Sequence, residues 1–247
     1  MPQNKPTRRH DGRLPGDLRP VTIGRGFVKS AEGSVLIECG RTRLICTASV
    51  VKGVPHFLRD SGQGWLTAEY DMLPASTNVR RSRSSRTGRV DGRSVEIQRL
   101  IGRSLRVVTD LNALDGTTIW VDCDVIEADG GTRTLAITGG YVALVDALST
   151  MKEAGRLEAL PLADSVVAVS VGVVDGAVVA DLDYQEDSSA EVDMNVVMTG
   201  SGRLIEVQGT AERAPFTAAT LGRMIKTARQ AAVELTRMQE TALRRRI

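Results

Sequence analysis

Histidine is almost missing from this 247-residue chain, which has only His10 and His56. Two isolated histidines are too few for chemistry run by imidazole bases, and no Ser-His-Asp or Cys-His arrangement can be assembled around them. Cysteine is scarce too. Cys39, Cys46 and Cys123 lie far apart inside apolar stretches, and no CxxC pair exists. That pattern excludes a disulfide framework and a zinc site, and it reads as reduced core thiols of a cytoplasmic protein. Aromatics make up 3% of the chain, so the core must be built from Val, Leu, Ile and Ala. No run approaches the roughly 18 consecutive apolar residues of a membrane span. The first 16 residues are polar, basic and broken by Pro2, Pro6 and Pro15. They lack the apolar stretch of a secretory signal, so a soluble, cytoplasmic protein is expected.

What is present is a 42% hydrophobic content, enough for a substantial core without staples. Runs rich in β-branched residues at 21–23, 34–38, 44–50 and 65–73 read as strands broken by glycines. Helical spacing of Ile97, Leu100, Ile101, Leu105 and Val108 predicts a helix over 94–111. A strand follows at 117–128, and after Gly130-Gly131 a helix carries Ile137, Tyr141, Leu144, Leu148 and Met151 along one stripe. Strands are expected again at 165–174, 178–184, 190–199 and 203–208, with a closing helix from Thr217 to about Arg245. The order is not the regular βα alternation of a doubly wound sheet. It predicts a single α+β domain over 1–247, with helices packed on two β layers. Residues 75–92 show no periodicity and read as a mobile loop.

Three stretches could carry chemistry. The first holds Arg80, Arg81, Arg83, Arg86, Arg89 and Arg93 against a single acid, Asp91. Such a run repels itself unless a polyanion neutralises it, so nucleic-acid contact is favoured over a merely solvated loop. The second is Glu127-Ala128-Asp129-Gly130-Gly131-Thr132-Arg133-Thr134, at a strand-to-helix junction. Glycines let backbone approach a ligand, helix-start N–H groups attract anions, and Thr132 and Arg133 add donors. An ordinary capped turn explains the same residues equally well, and the ending of a Walker A loop is missing. The third is the acidic stretch from Asp181 to Asn195. On a strand, Glu191, Asp193 and Asn195 share one face, where clustered carboxylates offer the hard oxygens that Mg²⁺ prefers. A solvent-facing strand is the plain alternative. An anion pocket, a carboxylate cluster and a polyanion-binding loop are together the parts of a phosphoryl-transfer enzyme acting on nucleic acid.

At these residues the chain resembles the bacterial ribonuclease PH family over essentially its whole length. The resemblance is carried by Gly62-Gln63-Gly64-Trp65-Leu66-Thr67-Ala68-Glu69-Tyr70, Glu96-Ile97-Gln98-Arg99-Leu100-Ile101-Gly102-Arg103 and Asp129-Gly130-Gly131-Thr132-Arg133-Thr134. It continues through Glu186-Asp187-Ser188, Asp193-Met194-Asn195-Val196-Val197-Met198-Thr199 and Glu206-Val207-Gln208-Gly209-Thr210-Ala211-Glu212. It implies a ribonuclease PH-like core with left-handed βαβ crossovers and a homohexameric ring built as a trimer of dimers. It also implies a phosphate-dependent 3′-to-5′ exoribonuclease that trims tRNA precursors and other structured RNA 3′ ends. By match, Arg93, Gly131, Thr132 and Arg133 hold the co-substrate phosphate. Asp187 and Asp193 match the catalytic aspartates that bind Mg²⁺ or Mn²⁺. Arg80 and Arg83 match loop arginines that grip the tRNA acceptor stem. The family often carries an arginine after Met72-Leu73-Pro74, where this chain has Ala75, and Arg81 and Arg86 stand nearby to compensate. Two other readings are a catalytically dead ring subunit, which would lack the acidic pair or the phosphate arginine, and a hydrolytic metal nuclease, which would need more converging carboxylates.

Overall fold

The computed structural model describes residues 9–83, 91–114 and 116–245. Arg86, one of the expected RNA contacts, lies outside the described residues.

Two sheets form the frame. The first has the order β1-β2-β3-β5-β4, from β1 (Val21–Arg25), β2 (Gly33–Cys39), β3 (Thr42–Lys52), β4 (Trp65–Met72) and β5 (Thr117–Glu127). All its pairs are antiparallel except β4 and β5, which run parallel. A parallel pair needs a crossover, and α1 (Gly92–Arg106) supplies it. The second sheet is wholly antiparallel, in the order β7-β6-β8-β9, from β6 (Val166–Val174), β7 (Ala177–Ala180), β8 (Val192–Thr199) and β9 (Leu204–Ala211).

Helix α2 (Thr132–Glu153) lies between the sheets, packed on β2 and β3 on one side and on β6 on the other. By length and composition alone it could cross a membrane, yet it is core. The single stripe expected from Ile137, Tyr141, Leu144, Leu148 and Met151 is only part of its buried surface, because Ala136, Val142, Ala143 and Ala147 are buried as well. A helix caught between two sheets must be apolar nearly all round. The last helix, α4 (Ala218–Arg244), covers β6 and β7. It starts where Thr217 accepts a capping bond from the Thr220 N–H.

Three expectations change. Helix α1 begins at Gly92, earlier than the apolar spacing indicated, because Asp91 caps it. The strand expected over 178–184 stops at Ala180. Asp181 takes a positive φ of 52°, and a short helix, α3 (Tyr184–Ser189), follows. Asp183 and Glu186 close a capping box on α3, which extended pairing cannot match. Glu191 does not share a strand face with Asp193 and Asn195. It precedes β8 and accepts the Gly176 N–H at 2.9 Å, while Asn195 is buried. As an inner strand between β6 and β9, β8 has little surface left for solvent.

Candidate active site

The junction between β5 and α2 is built to bring backbone close to a ligand. Gly130 and Gly131 have φ of 82° and 70°, a region that side chains rarely adopt. A Cβ on Gly130 would lie 2.5 Å from the Leu182 carbonyl oxygen, so the turn packs directly on the backbone leading into α3. Thr42 braces the turn from β3. Its Oγ1 accepts the Asp129 N–H at 2.9 Å and donates to the Gly130 carbonyl at 2.7 Å. Gly131 occupies the N-cap position of α2 and offers no side-chain cap. The first N–H groups of α2 therefore have no side-chain cap from Gly131 and lie at the positive end of the helix dipole.

The side chains around this turn are cationic or hydroxylic. Thr132 is buried, and its Oγ1 accepts the Tyr70 hydroxyl at 2.8 Å, so Thr132 keeps its own proton for another acceptor. Arg133 is steered from two elements, because Nη1 donates to Glu96 Oε1 at 3.1 Å and to Gln208 Oε1 at 3.3 Å. Arg93 projects from the first turn of α1 and is exposed. Burial pushes the Tyr70 hydroxyl up, while the charges of Arg93 and Arg133 pull it down. Both arginines thus act on the place where Tyr70 meets Thr132.

Both arginines also act on Asp187, which stands exposed on α3. Desolvation raises its carboxyl, Arg93 and Arg133 oppose the rise, and Glu212 adds to it. Asp193, half-buried on β8, is pushed up to about 6, first by burial and then by the charge of Asp187, against the pull of Arg133. Neither aspartate forms an ion pair among the described residues. The Asp193 Oδ1 atom is buried without a hydrogen-bond partner among the described residues. An orphaned carboxylate oxygen beside a second carboxylate is a suitable donor set for a hard divalent cation. The structure therefore brings Arg93, Gly131, Thr132, Arg133, Asp187 and Asp193 into one neighbourhood.

Glu96, Gln208 and Glu212 lie in the stretches that carry the resemblance, but the sequence assigns them no role. Glu96 could have been given one, since it sits three residues after Arg93 on one helix face. Gln208 and Glu212 reach the site only through the pairing of β9 with β8.

The other acids of the stretch do different work. His10, Asp183 and Glu186 bring metal-type ligand atoms within 4.8 Å of one another. Arginines already fill that space. Arg9 pairs with Glu186, and Arg13 lies 3.4 Å from Glu186 and 3.7 Å from Asp183. In the arginine-rich segment, Arg80 and Arg83 are exposed, whereas Arg81 is turned onto Asp91 at 2.8 Å. A cleft of about 610 Å³ that also takes in Tyr70 and Ser94 is lined by Glu69, Asp71, Asp122 and Asp124. Burial and neighbouring carboxylates raise Asp122 and Asp124, so this cleft would repel a polyanion.

Comparison with known proteins gives the family of the chain. Residues 17–149 match the model of the 3′ exoribonuclease family, domain 1, and residues 164–231 match domain 2. The chain is 58% identical over 238 residues to ribonuclease PH of Mycolicibacterium smegmatis, covering 96% of this chain and 92% of that protein. The same figures hold for ribonuclease PH of Mycolicibacterium gilvum. Among solved structures, rice (Oryza sativa) Rrp46 has a TM-score of 0.78 at 21% identity, with 96% of this chain and 100% of that one covered. An Archaeoglobus fulgidus exosome with RNA bound to its active site gives 0.79 at 20% identity, over 93% and 92%. At those identities the likeness is one of fold. With both domain models matched in order and ribonuclease PH relatives aligned along nearly all of it, the chain belongs to the ribonuclease PH group of the 3′ exoribonuclease family.

Proposed function

We propose that the chain shortens tRNA from its 3′ end by phosphorolysis, releasing nucleoside diphosphates. The observation that carries this reading is the placement of a cationic, hydroxyl-lined helix start against two carboxylates with no ion-pair partner among the described residues. Phosphorolysis needs an anion pocket to hold its nucleophile, and a helix start flanked by arginines and a hydroxyl supplies one.

Inorganic phosphate sits at the start of α2. It receives backbone N–H groups, the Thr132 hydroxyl and the guanidinium groups of Arg133 and Arg93. An oxygen of that phosphate attacks the phosphorus of the last phosphodiester. The bond from phosphorus to the penultimate ribose 3′-oxygen breaks, and that oxygen takes up the proton that the attacking hydrogen phosphate gives up. The terminal nucleotide leaves with the attacking phosphate attached. Because one phosphoanhydride-linked product replaces one phosphodiester, the reaction is reversible. Asp187 and Asp193 would hold Mg²⁺ or Mn²⁺, which when bound neutralises charge on the scissile phosphate. Glu96 and Gln208 fix the Arg133 plane, and Tyr70 fixes the Thr132 hydroxyl, so the nucleophile is oriented before RNA arrives.

Arg80, Arg81, Arg83 and Arg86 serve the tRNA stem. One chain offers one such segment, so a homohexameric ring, built as a trimer of dimers, would surround a shared opening with several. A cytoplasmic location fits this substrate. The deciding experiment incubates the protein with a tRNA bearing a short 3′ extension, with and without inorganic phosphate. Nucleoside diphosphates formed only with phosphate are expected. Monophosphates formed without it would refute the reading.

A further inference from the structure

We infer that Arg19 is a positioning residue for phosphorolysis, joining the phosphate turn to the acidic helix at a set spacing. The inference rests on the proposed function and adds a residue that touches none of the reacting groups.

Arg19 is 6% exposed, and its side chain is shared between two elements of the site. On one side its backbone N–H and Nε donate to Asp181 Oδ2 at 2.8 and 2.9 Å, and Nη2 donates to Oδ1 at 2.6 Å. On the other side Nη1 donates to the Asp129 carbonyl at 2.5 Å and Nη2 to the Gly130 carbonyl at 3.4 Å. Asp181 lies where the chain swings out of β7 toward the α3 helix that bears Asp187. Asp129 and Gly130 open the anion turn. One planar guanidinium therefore holds both halves of the site.

The contact is close on every side. The Gly131 Cβ position would be 3.2 Å from Arg19 Nη2, and the Gly130 Cβ position 2.5 Å from the Leu182 oxygen, so glycines are needed where the halves meet. Thr42 is a second strut on the same turn. A buried ion pair adds little net stability over an apolar replacement, but it can select one geometry. Here geometry matters, because displacing reacting groups by about 1 Å can cost about a hundredfold in rate.

A lysine at position 19 keeps the charge for Asp181 but cannot also span to both carbonyls. Arg25→Lys is the control. Arg25 is likewise paired, to Asp146 with its Nε 2.9 Å from Oδ1, but it sits against the end of α4 and away from the site. Both variants would be assayed well below their melting temperatures, with tRNA saturating and phosphate varied, and phosphate binding would be measured separately by calorimetry. Arg19→Lys should raise the phosphate KM and lower kcat by about tenfold or more, and weaken phosphate binding in the calorimeter. Arg25→Lys should stay within about twofold of the parent. Equal phosphate KM and binding in the two variants would overturn the inference. Absence of phosphate-dependent activity in the parent would instead overturn the proposed function. If Arg19→Lys does not fold, Thr42→Val decides: an increase of about threefold to tenfold in phosphate KM supports the two-strut bridge, and an unchanged value refutes it.

Discussion

Two halves of one acidic stretch behave in opposite ways. Asp181, Asp183 and Glu186 are buried, and each meets an arginine or His10 within 4 Å. Arg19 holds the Asp181 carboxyl below its ordinary range despite the opposing effect of burial. Asp187 and Asp193, only a few residues further on, have no paired cation among the described residues and are raised, Asp193 to about 6. The sequence shows one run of acids, but the fold sorts them by partner. The neutralised acids hold the backbone, and the frustrated ones are left for chemistry. What separates the two roles is the supply of arginines from residues 9–19, which brace the first group and do not reach the second.

Substitution should separate the halves most sharply. Asp193→Asn removes a metal-ligand charge while keeping shape, so turnover should fall at least about a hundredfold with the fold retained, measured by initial rates and far-UV circular dichroism. Asp181→Asn should do the reverse of sparing the fold. It strands Arg19 in a buried site, at a cost of about 3–5 kcal/mol read from denaturant melts. If both variants fold equally well, the sorting by partner is wrong.

The next largest effect is expected at the anion turn. Arg133→Ala and Arg93→Ala should each raise the phosphate KM about tenfold or more and lower turnover, since both charges reach one small anion. An unchanged phosphate dependence in both would remove them from the site. Smaller and more selective is the effect of replacing Arg80, Arg81 and Arg83 together by Ala. Binding to tRNA should weaken, and its log–log salt dependence should flatten by about one unit per lost phosphate contact. A short single-stranded oligonucleotide should be cleaved nearly as before. Equal losses on both substrates would place these arginines in support of the active site.

The smallest effect is a pH dependence of opposite sign in the two halves. The folded-state pKa of Asp193 lies above that of the unfolded chain. Its contribution to stability is therefore full below the ordinary carboxylate range and is lost as pH rises through about 6. Without metal, Asp193→Asn should melt a few degrees higher than the parent at pH 8, and the gap should close toward pH 4. Asp181, being lowered, contributes stability above the ordinary range that is lost as pH falls. A gap that widens toward acid would contradict the assignment for Asp193.

Much of the frame was legible in the sequence because it is local. The β-branched runs placed β1 to β4, and Gly130-Gly131 marked the turn before α2. The short helix α3 was missed because a capping box inside an acidic run looks like the frayed end of a strand. Its sequence signal, an aspartate three residues before a glutamate, was available at Asp183 and Glu186. The partners of the acids were not legible at all. Arg9 meets Glu186 across 177 residues and Arg19 meets Asp181 across 162, and no local pattern encodes such a pairing. Glu96 and Gln208 orient Arg133 for the same kind of reason, since α1 and β9 approach only in the folded molecule.

The most direct test of the sorting is Mn²⁺ binding followed by electron paramagnetic resonance on three proteins. The parent should bind the ion, Asp193→Asn should bind it at least about tenfold more weakly, and Asp183→Asn, which keeps a good helix cap, should bind it like the parent. Undiminished binding by Asp193→Asn, or lost binding by Asp183→Asn, would contradict the account.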